Sequence, residues 1–126
     1  MIKQVKTKKA PSAVGPYSQA VISNGQVYLS GMLPLNSDSG EITGDTVAEQ
    51  TKQILDNITG LLEEINLHLT DVIKTTIFLD SMNDFQQVND IYGDYFSNHK
   101  PARSCVEVSA IPKGALIEIE VIAQLN

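Results

Sequence analysis

The residue types best suited to chemistry lie together in residues 101–108, where the only arginine of the chain, Arg103, stands two positions before its only cysteine, Cys105. In a strand, side chains alternate between faces, so Arg103, Cys105 and Glu107 would share one face. A guanidinium is a planar, permanently charged fork that can bind a carboxylate through two hydrogen bonds. The pattern predicts an anion-binding pocket beside a thiol, and a surface arginine on an edge strand is an equally simple interpretation.

Other candidate groups are weaker when taken singly. Cys105 and His99 are close enough in sequence to form a nucleophilic pair, but a half-buried strand cysteine is more often a small apolar residue. His68 and His99 show no metal-ligand spacing, so no metal site is predicted. Glu118 and Glu120 lie in an otherwise apolar segment, and a glutamate near the arginine could orient a water molecule.

Two further polar residues are interpreted from their positions. Tyr17 follows Gly-Pro in a predicted turn, where its hydroxyl could close a pocket or anchor the N-terminal segment, the commoner outcome. Asn89 lies beside the apolar stripe of a predicted helix, where it could cap, pack or contact a partner, and packing is the simplest interpretation. Neither position by itself predicts a site.

The composition bounds the class of protein. A length of 126 residues predicts one domain over residues 1–126 with its own core. The formal net charge of −6 argues against nucleic acid as a partner, because phosphate binding requires cations. Four of the eight lysines crowd into residues 3–9 and are interpreted as a solvated end. A single cysteine, with no apolar leader and no membrane-length segment, predicts a cytoplasmic protein outside the membrane.

Turn and capping residues divide the chain into strands and helices. An Asn-Gly pair at 24–25 between two β-rich runs predicts a hairpin. Thr46 and Glu49 form a capping box before an amphipathic helix, and a second helix follows a cap at Ser81 or Asn83. The predicted strands cover residues 2–6, 20–23, 26–30, 71–80, 103–108 and 116–123.

These elements predict an α+β fold in which one sheet carries both helices on one face. The opposite face is expected to hold Arg103, Cys105 and Glu107, together with Glu118 or Glu120. Such a face is too polar for a core and requires either solvent or a partner surface. Burial against another copy of the chain is the simplest solution, so a homo-oligomer is predicted.

Several motifs together resemble the RidA (YjgF) family of reactive-intermediate deaminases. They are Gly-Pro-Tyr-Ser-Gln-Ala at 15–20, Ser-Gly at 30–31, Asn-Asp-Phe at 83–85 with Val-Asn at 88–89, Pro-Ala-Arg-Ser-Cys-Val-Glu-Val at 101–108 and Ile-Glu-Ile-Glu at 117–120. The resemblance covers nearly the whole chain in order. It implies a chorismate-mutase-like, YjgF-type mixed sheet and a homotrimer with sites between subunits.

The resemblance also implies an activity. A 2-iminobutanoate/2-iminopropanoate deaminase hydrolyses reactive 2-imino acids to 2-keto acids and ammonia, and it needs no cofactor. Arg103 would bind the substrate carboxylate, and Glu118 would position the attacking water. The pocket would be lined by Tyr17, Ser30, Gly31, Asn89 and Cys105.

One departure from the family pattern and two other functions bear on this interpretation. Met32 stands where the family usually has glutamine, beside the implied pocket, and could alter the substrate range. A non-catalytic binder of 2-keto acids that regulates a partner is the alternative function. A ribonuclease or translation-inhibiting role disagrees with the acidic charge and the single arginine.

Overall fold

A computed structural model describes all of residues 1–126 and contains one six-stranded mixed sheet with two helices. In chain order, the elements are β1 (Lys3–Val5), β2 (Ala20–Ser23), β3 (Gln26–Met32), α1 (Val47–Glu64), β4 (Val72–Leu79), α2 (Phe85–Tyr95), β5 (Ala102–Glu107) and β6 (Ile117–Gln124). The spatial order is β1-β2-β3-β6-β4-β5, in which only β4 and β5 are parallel. The predicted α+β, chorismate-mutase-like fold is confirmed.

The first hairpin forms as predicted. Asn24 and Gly25 join β2 to β3, and their φ angles of 51° and 77° both lie in the left-handed region. Two successive left-handed residues match the right-handed twist of the flanking strands, which is why Asn-Gly is favoured at this turn. The pairing of β3 with β6 is irregular between Leu29 and Met32. The intervening Ser-Gly pair therefore lies outside the regular ladder.

Both helices bury their apolar stripes on the same face of the sheet. α1 begins with the predicted capping box, in which the Glu49 amide donates to the Thr46 hydroxyl at 3.1 Å. The Tyr92 hydroxyl of α2 lies 2.7 Å from the Thr75 hydroxyl of β4 within the core, and this bond fixes α2 over β4. The helix-facing residues of β6 are buried at alternate positions: Ile117, Ile119 and Val121.

The start of α2 differs slightly from the prediction. The Ser81 hydroxyl accepts a hydrogen bond from the Asn83 amide at 3.2 Å, but it caps a 3-10 turn, Met82–Asp84, that leads into α2. The cap therefore sets the direction of the chain before the helix begins. Neither helix is long and apolar enough to cross a membrane.

The prediction for the two faces of β5 is wrong. Arg103 lies opposite Thr75 in the parallel pairing with β4, and Thr75 faces α2. Because side chains alternate, Cys105 and Glu107 lie on that helix side with Arg103, not on the opposite face. The physical reason is that β5 is an edge strand. Its helix-facing positions are only partly covered and therefore accept polar residues.

The face of the sheet opposite the helices is uncovered. It carries Glu118 and Glu120 of β6, which lie opposite Phe78 and Thr76 of β4. It also carries Val106 of β5, which keeps 44% of its surface exposed. A face that mixes apolar and charged residues must be hydrated or covered by another molecule.

Candidate active site

The side chain of Arg103 is held against α2. Its Nη1 donates to Oδ1 of Asn89 at 2.8 Å. Its guanidinium carbon lies 4.9 Å from the centroid of the Tyr92 ring and 5.6 Å from that of Phe85. An arginine stacked on aromatic rings is stabilised by cation–π attraction and loses much of its rotational freedom. The result is a fixed, half-buried fork that has further N–H donors for a ligand.

Asn89 has a more specific role than packing. It lies on the face of α2 that turns toward β5, and its side-chain oxygen accepts the arginine hydrogen bond. The helix therefore supplies both the aromatic surface and the acceptor that orient Arg103. The sequence pattern alone did not predict this function of α2, because its contact with β5 depends on the tertiary arrangement.

Cys105 lies on the same side of β5 as Arg103, half-buried and packed against the core. Burial raises the pKa of its thiol, and the Arg103 charge opposes this only in part. The Cys-His pair considered from the sequence does not form. His99 Nε2 lies 2.6 Å from the carbonyl oxygen of Val72 at the start of β4, whereas Cys105 is opposite Ile77. The two positions on β4, Val72 and Ile77, are five residues apart along the strand, roughly 16 Å.

Glu118 lies on the other face of the sheet and packs against Gly31. A Cβ atom added at Gly31 would overlap the Glu118 carboxylate, so any other residue at this position would require the Glu118 side chain to move. The pKa of the Glu118 carboxyl is raised, mainly by burial and further by the charge of Glu120. A carboxylate that gains a proton more readily than usual is suited to general-base chemistry near neutral pH.

A small cavity opens beside Gly31. Its volume is about 60 Å³, enough for a few non-hydrogen atoms. The Ser30 hydroxyl donates to the carbonyl oxygen of Ser18 at 2.6 Å, and this bond ties the irregular part of β3 to the segment before β2. Tyr17, 51% exposed, forms part of the rim. Other lining residues include Pro11, Val14, Gln19, Met32 and Lys113.

The residues that the family resemblance implied thus form two groups. Arg103, Asn89 and Cys105 lie on the helix side of the sheet. The second group lies around the irregular part of β3: Tyr17, Ser30, Gly31 and, on the uncovered face, Glu118. No three histidine, cysteine, aspartate or glutamate side chains come together in a way that could hold a metal ion.

Comparison with known proteins identifies the family. The sequence model described as "Endoribonuclease L-PSP" matches residues 7–125. The human 2-iminobutanoate/2-iminopropanoate deaminase is 44% identical, over 94% of this chain and 87% of that protein. A RutC family protein of Pyrococcus abyssi is 45% identical, over 93% of this chain and 92% of that protein.

Solved structures agree with this assignment. YyfA of Yersinia pestis, described as a conserved Rid family protein, has a TM-score of 0.97 and 50% identity, covering 99% of this chain and 100% of that one. Escherichia coli TdcF with bound serine has a TM-score of 0.92 and 38% identity, covering 98% and 99%. These proteins share one small α+β fold with the chain. The chain belongs to the RidA (YjgF) family.

Proposed function

We propose that this protein is a 2-iminobutanoate/2-iminopropanoate deaminase, a hydrolase that converts 2-imino acids to 2-keto acids and ammonia. The main observation that supports this proposal is the fixed orientation of the Arg103 guanidinium. Asn89 and two aromatic rings hold it in a position where it can bind a carboxylate. Support also comes from the name of the human relative at 44% identity.

The proposed site is shared between copies of the chain. Arg103 and Glu118 lie on opposite faces of one sheet, and Thr75 and Phe78, their neighbours on β4, are three residues apart. A single small substrate cannot reach both groups within one chain. Association of three copies, with the β5 edge of one copy packed against the uncovered sheet face of the next, would bring the arginine of one copy to the glutamate of the next and cover the face that carries Val106.

The hydrolysis needs little beyond orientation and proton transfer. Arg103 binds the substrate carboxylate, and Glu118 takes a proton from a water molecule as its oxygen bonds to C2 of the protonated imine. Glu118 then passes that proton to the amino nitrogen, the C–N bond breaks, and the hydroxyl proton leaves with ammonia as ammonium. The balance is RC(=NH2+)COO− + H2O → RCOCOO− + NH4+.

The imine assay tests the activity directly. A serine or threonine dehydratase supplies the imine in place, because the imine decays too quickly to be added as a reagent. A nucleophilic trap such as semicarbazide competes with water for it. We expect the wild-type protein to divert imine from the trap to 2-keto acid in proportion to its concentration. Unchanged trapping in the presence of correctly folded protein would refute the proposal.

Mixed oligomers test the shared site. Arg103→Ala and Glu118→Gln variants each have very low activity under the proposal, but random mixing gives about a quarter of the interfaces both wild-type groups. Co-refolded mixtures should therefore regain up to about a quarter of wild-type turnover, whereas mixing without subunit exchange should regain none. Sedimentation should show a trimer. A stable monomer at micromolar concentration, or no recovery after demonstrated exchange, contradicts a shared site.

A non-catalytic carboxylate binder is the second candidate. TdcF was crystallised with bound serine, an amino acid carboxylate, and Arg103 would be needed for such binding as well. Glu118 distinguishes the two functions, because an enzyme requires it for turnover and a protein that only binds carboxylates catalyses nothing. Ribonuclease activity, suggested by the family description, has less support because the chain has a net charge of −6.

A further inference from the structure

The side chain of Gln19 is buried, with 7% of its surface exposed, and all of its hydrogen-bonding capacity is directed at one segment. Its Oε1 accepts from the Thr7 amide at 2.8 Å. Its Nε2 donates to the carbonyl oxygens of Thr7, Ala10 and Pro11, at 3.1, 3.3 and 2.8 Å. A carboxamide accepts at its oxygen and has two N–H donors at its nitrogen, so the three carbonyl oxygens share the two hydrogens of Nε2.

The backbone of Gln19 is hydrogen-bonded to the strand on the other side of the cavity. The Ser30 amide donates to the Gln19 carbonyl oxygen at 3.0 Å, and the Ser30 hydroxyl bonds to the adjacent Ser18. Gln19 thus joins the segment that ends at Pro11 to the strand that carries Gly31. Because Gly31 contacts the Glu118 carboxylate, this connection reaches the proposed base.

The anchored segment is a thin wall between two cavities. On one side lies the cavity of about 60 Å³ beside Gly31. On the other side lies a wide cleft lined by lysines of the N-terminal segment. Ser12, Tyr17 and Gln19 line both. If the wall moved, the small cavity would open into the cleft and lose its size limit.

We propose that Gln19 is a positioning residue: its amide fixes the wall formed by residues 7–12 and thereby limits the cavity beside Gly31 to a short alkyl group of the ligand. The identity of that ligand rests on the proposed function. Pro11, Val14 and Met32 give this cavity an apolar lining, which suits the methyl or ethyl group of a three- or four-carbon acid.

The test compares Gln19→Met and Gln19→Glu with Thr7→Val. Methionine removes the hydrogen bonds at similar volume, and glutamate keeps the acceptor but not the donors. Thr7→Val removes two other hydrogen bonds of the same segment, the 2.7 Å bond from the Thr7 hydroxyl to Glu64 at the end of α1 and the 3.0 Å bond that this hydroxyl accepts from the Lys9 amide. It leaves the backbone bonds of Thr7 to Gln19 in place. It is therefore a matched control for a general loss of stability.

For the Gln19 variants we expect turnover within about twofold of wild type, but KM for the four-carbon imine and Kd for 2-oxobutanoate about 10-fold higher. Binding of the branched 4-methyl-2-oxopentanoate should weaken less, so that size selectivity falls. Thr7→Val should keep both affinity and selectivity. Equal weakening of the two ligands, or an identical effect of Thr7→Val, would show a purely structural role.

Amide hydrogen exchange gives a readout that does not depend on activity. Gln19→Met should speed exchange at the Ser30 amide, whose acceptor is the Gln19 backbone and is not itself altered. In wild type, saturating 2-oxobutanoate should slow exchange at both Thr7 and Ser30. If exchange changes at Thr7 but not at Ser30, Gln19 does not couple the N-terminal segment to β3, and the proposal is wrong. If wild type neither hydrolyses imines nor binds 2-keto acids, the proposed function fails, while exchange at Ser30 in the variants still decides the role of Gln19.

Discussion

The surroundings of Arg103 and of Glu118 differ in how each charged group is held. Arg103 is fixed by α2 through one hydrogen bond and two aromatic rings, so its orientation is set before any ligand arrives. Glu118 packs against the backbone of Gly31 in surroundings that disfavour its ionised form and raise its pKa. The chain stabilises the geometry of its cation and raises the basicity of its carboxylate. Those are the separate requirements of substrate binding and of general-base catalysis.

Glu118→Gln should have the largest effect, because glutamine keeps the size but cannot accept a proton. We expect turnover to fall on the order of 10²-fold. Affinity for pyruvate should change much less, since the proposed function assigns the charged contact to Arg103. The dehydratase-coupled assay and calorimetry measure the two quantities. Glu120→Gln on the same strand is the matched control. Equal turnover in Glu118→Gln and wild type would move the base to another group.

The same substitution should stabilise the fold at neutral pH. The folded-state pKa of Glu118 lies above its unfolded value, so the folded chain binds the proton more tightly and stability falls as pH rises through that interval. Glutamine is neutral at every pH, so the variant does not lose this stability as pH rises. Thermal unfolding should therefore favour Glu118→Gln at pH 7 and show little difference at pH 3. A variant less stable at both pH values would contradict the raised pKa.

Arg103→Lys should lower kcat/KM by about 30-fold, because an ammonium keeps the charge but loses the bidentate geometry and the stacking on Tyr92. Pyruvate affinity should fall in parallel, which distinguishes this variant from Glu118→Gln. Lys100→Arg, on an exposed residue near the start of β5, controls for a general change of cation. Unimpaired turnover in an assembled Arg103→Lys variant would show that the carboxylate is bound elsewhere.

Glu120→Gln should move the pH dependence rather than the maximum rate. The Glu120 charge contributes to the raised pKa of Glu118, after burial. Removing that charge lowers the pKa of Glu118, so the acid limb of kcat/KM should shift to lower pH. The pH–rate profile of the variant measures this shift. If the acid limb stays in place or moves to higher pH, it reports the titration of a group other than Glu118.

Cys105→Ser should have the smallest effect, with turnover within about twofold of wild type, because in the proposed reaction water rather than a thiolate attacks the imine. The raised pKa of the thiol agrees with this, since burial keeps it protonated at neutral pH. Steady-state rates and pyruvate binding check the expectation. Complete inactivation with assembly and binding intact would indicate covalent catalysis.

Local sequence determined most of the secondary structure. The Asn-Gly turn, the capping box at Thr46 and Glu49, and the alternation along β6 each express a local physical preference, and each forms as expected. The period of two also correctly placed Arg103 and Cys105 on a common face. The motifs of residues 15–20 and 101–108 further indicated the family, which the comparisons confirm.

Only the tertiary structure decided whether the common face of Arg103 and Cys105 meets the helices or lies on the uncovered side of the sheet. Alternation says which residues share a side, but the pairing of β5 with β4 and the position of α2 decide which side meets the helices. The contact of Glu118 with Gly31 likewise depends on the irregular pairing of β3 with β6. These relations join residues far apart in sequence, so no local propensity encodes them. The separation of Arg103 from Glu118, from which the shared site is proposed, is therefore a property of the folded sheet.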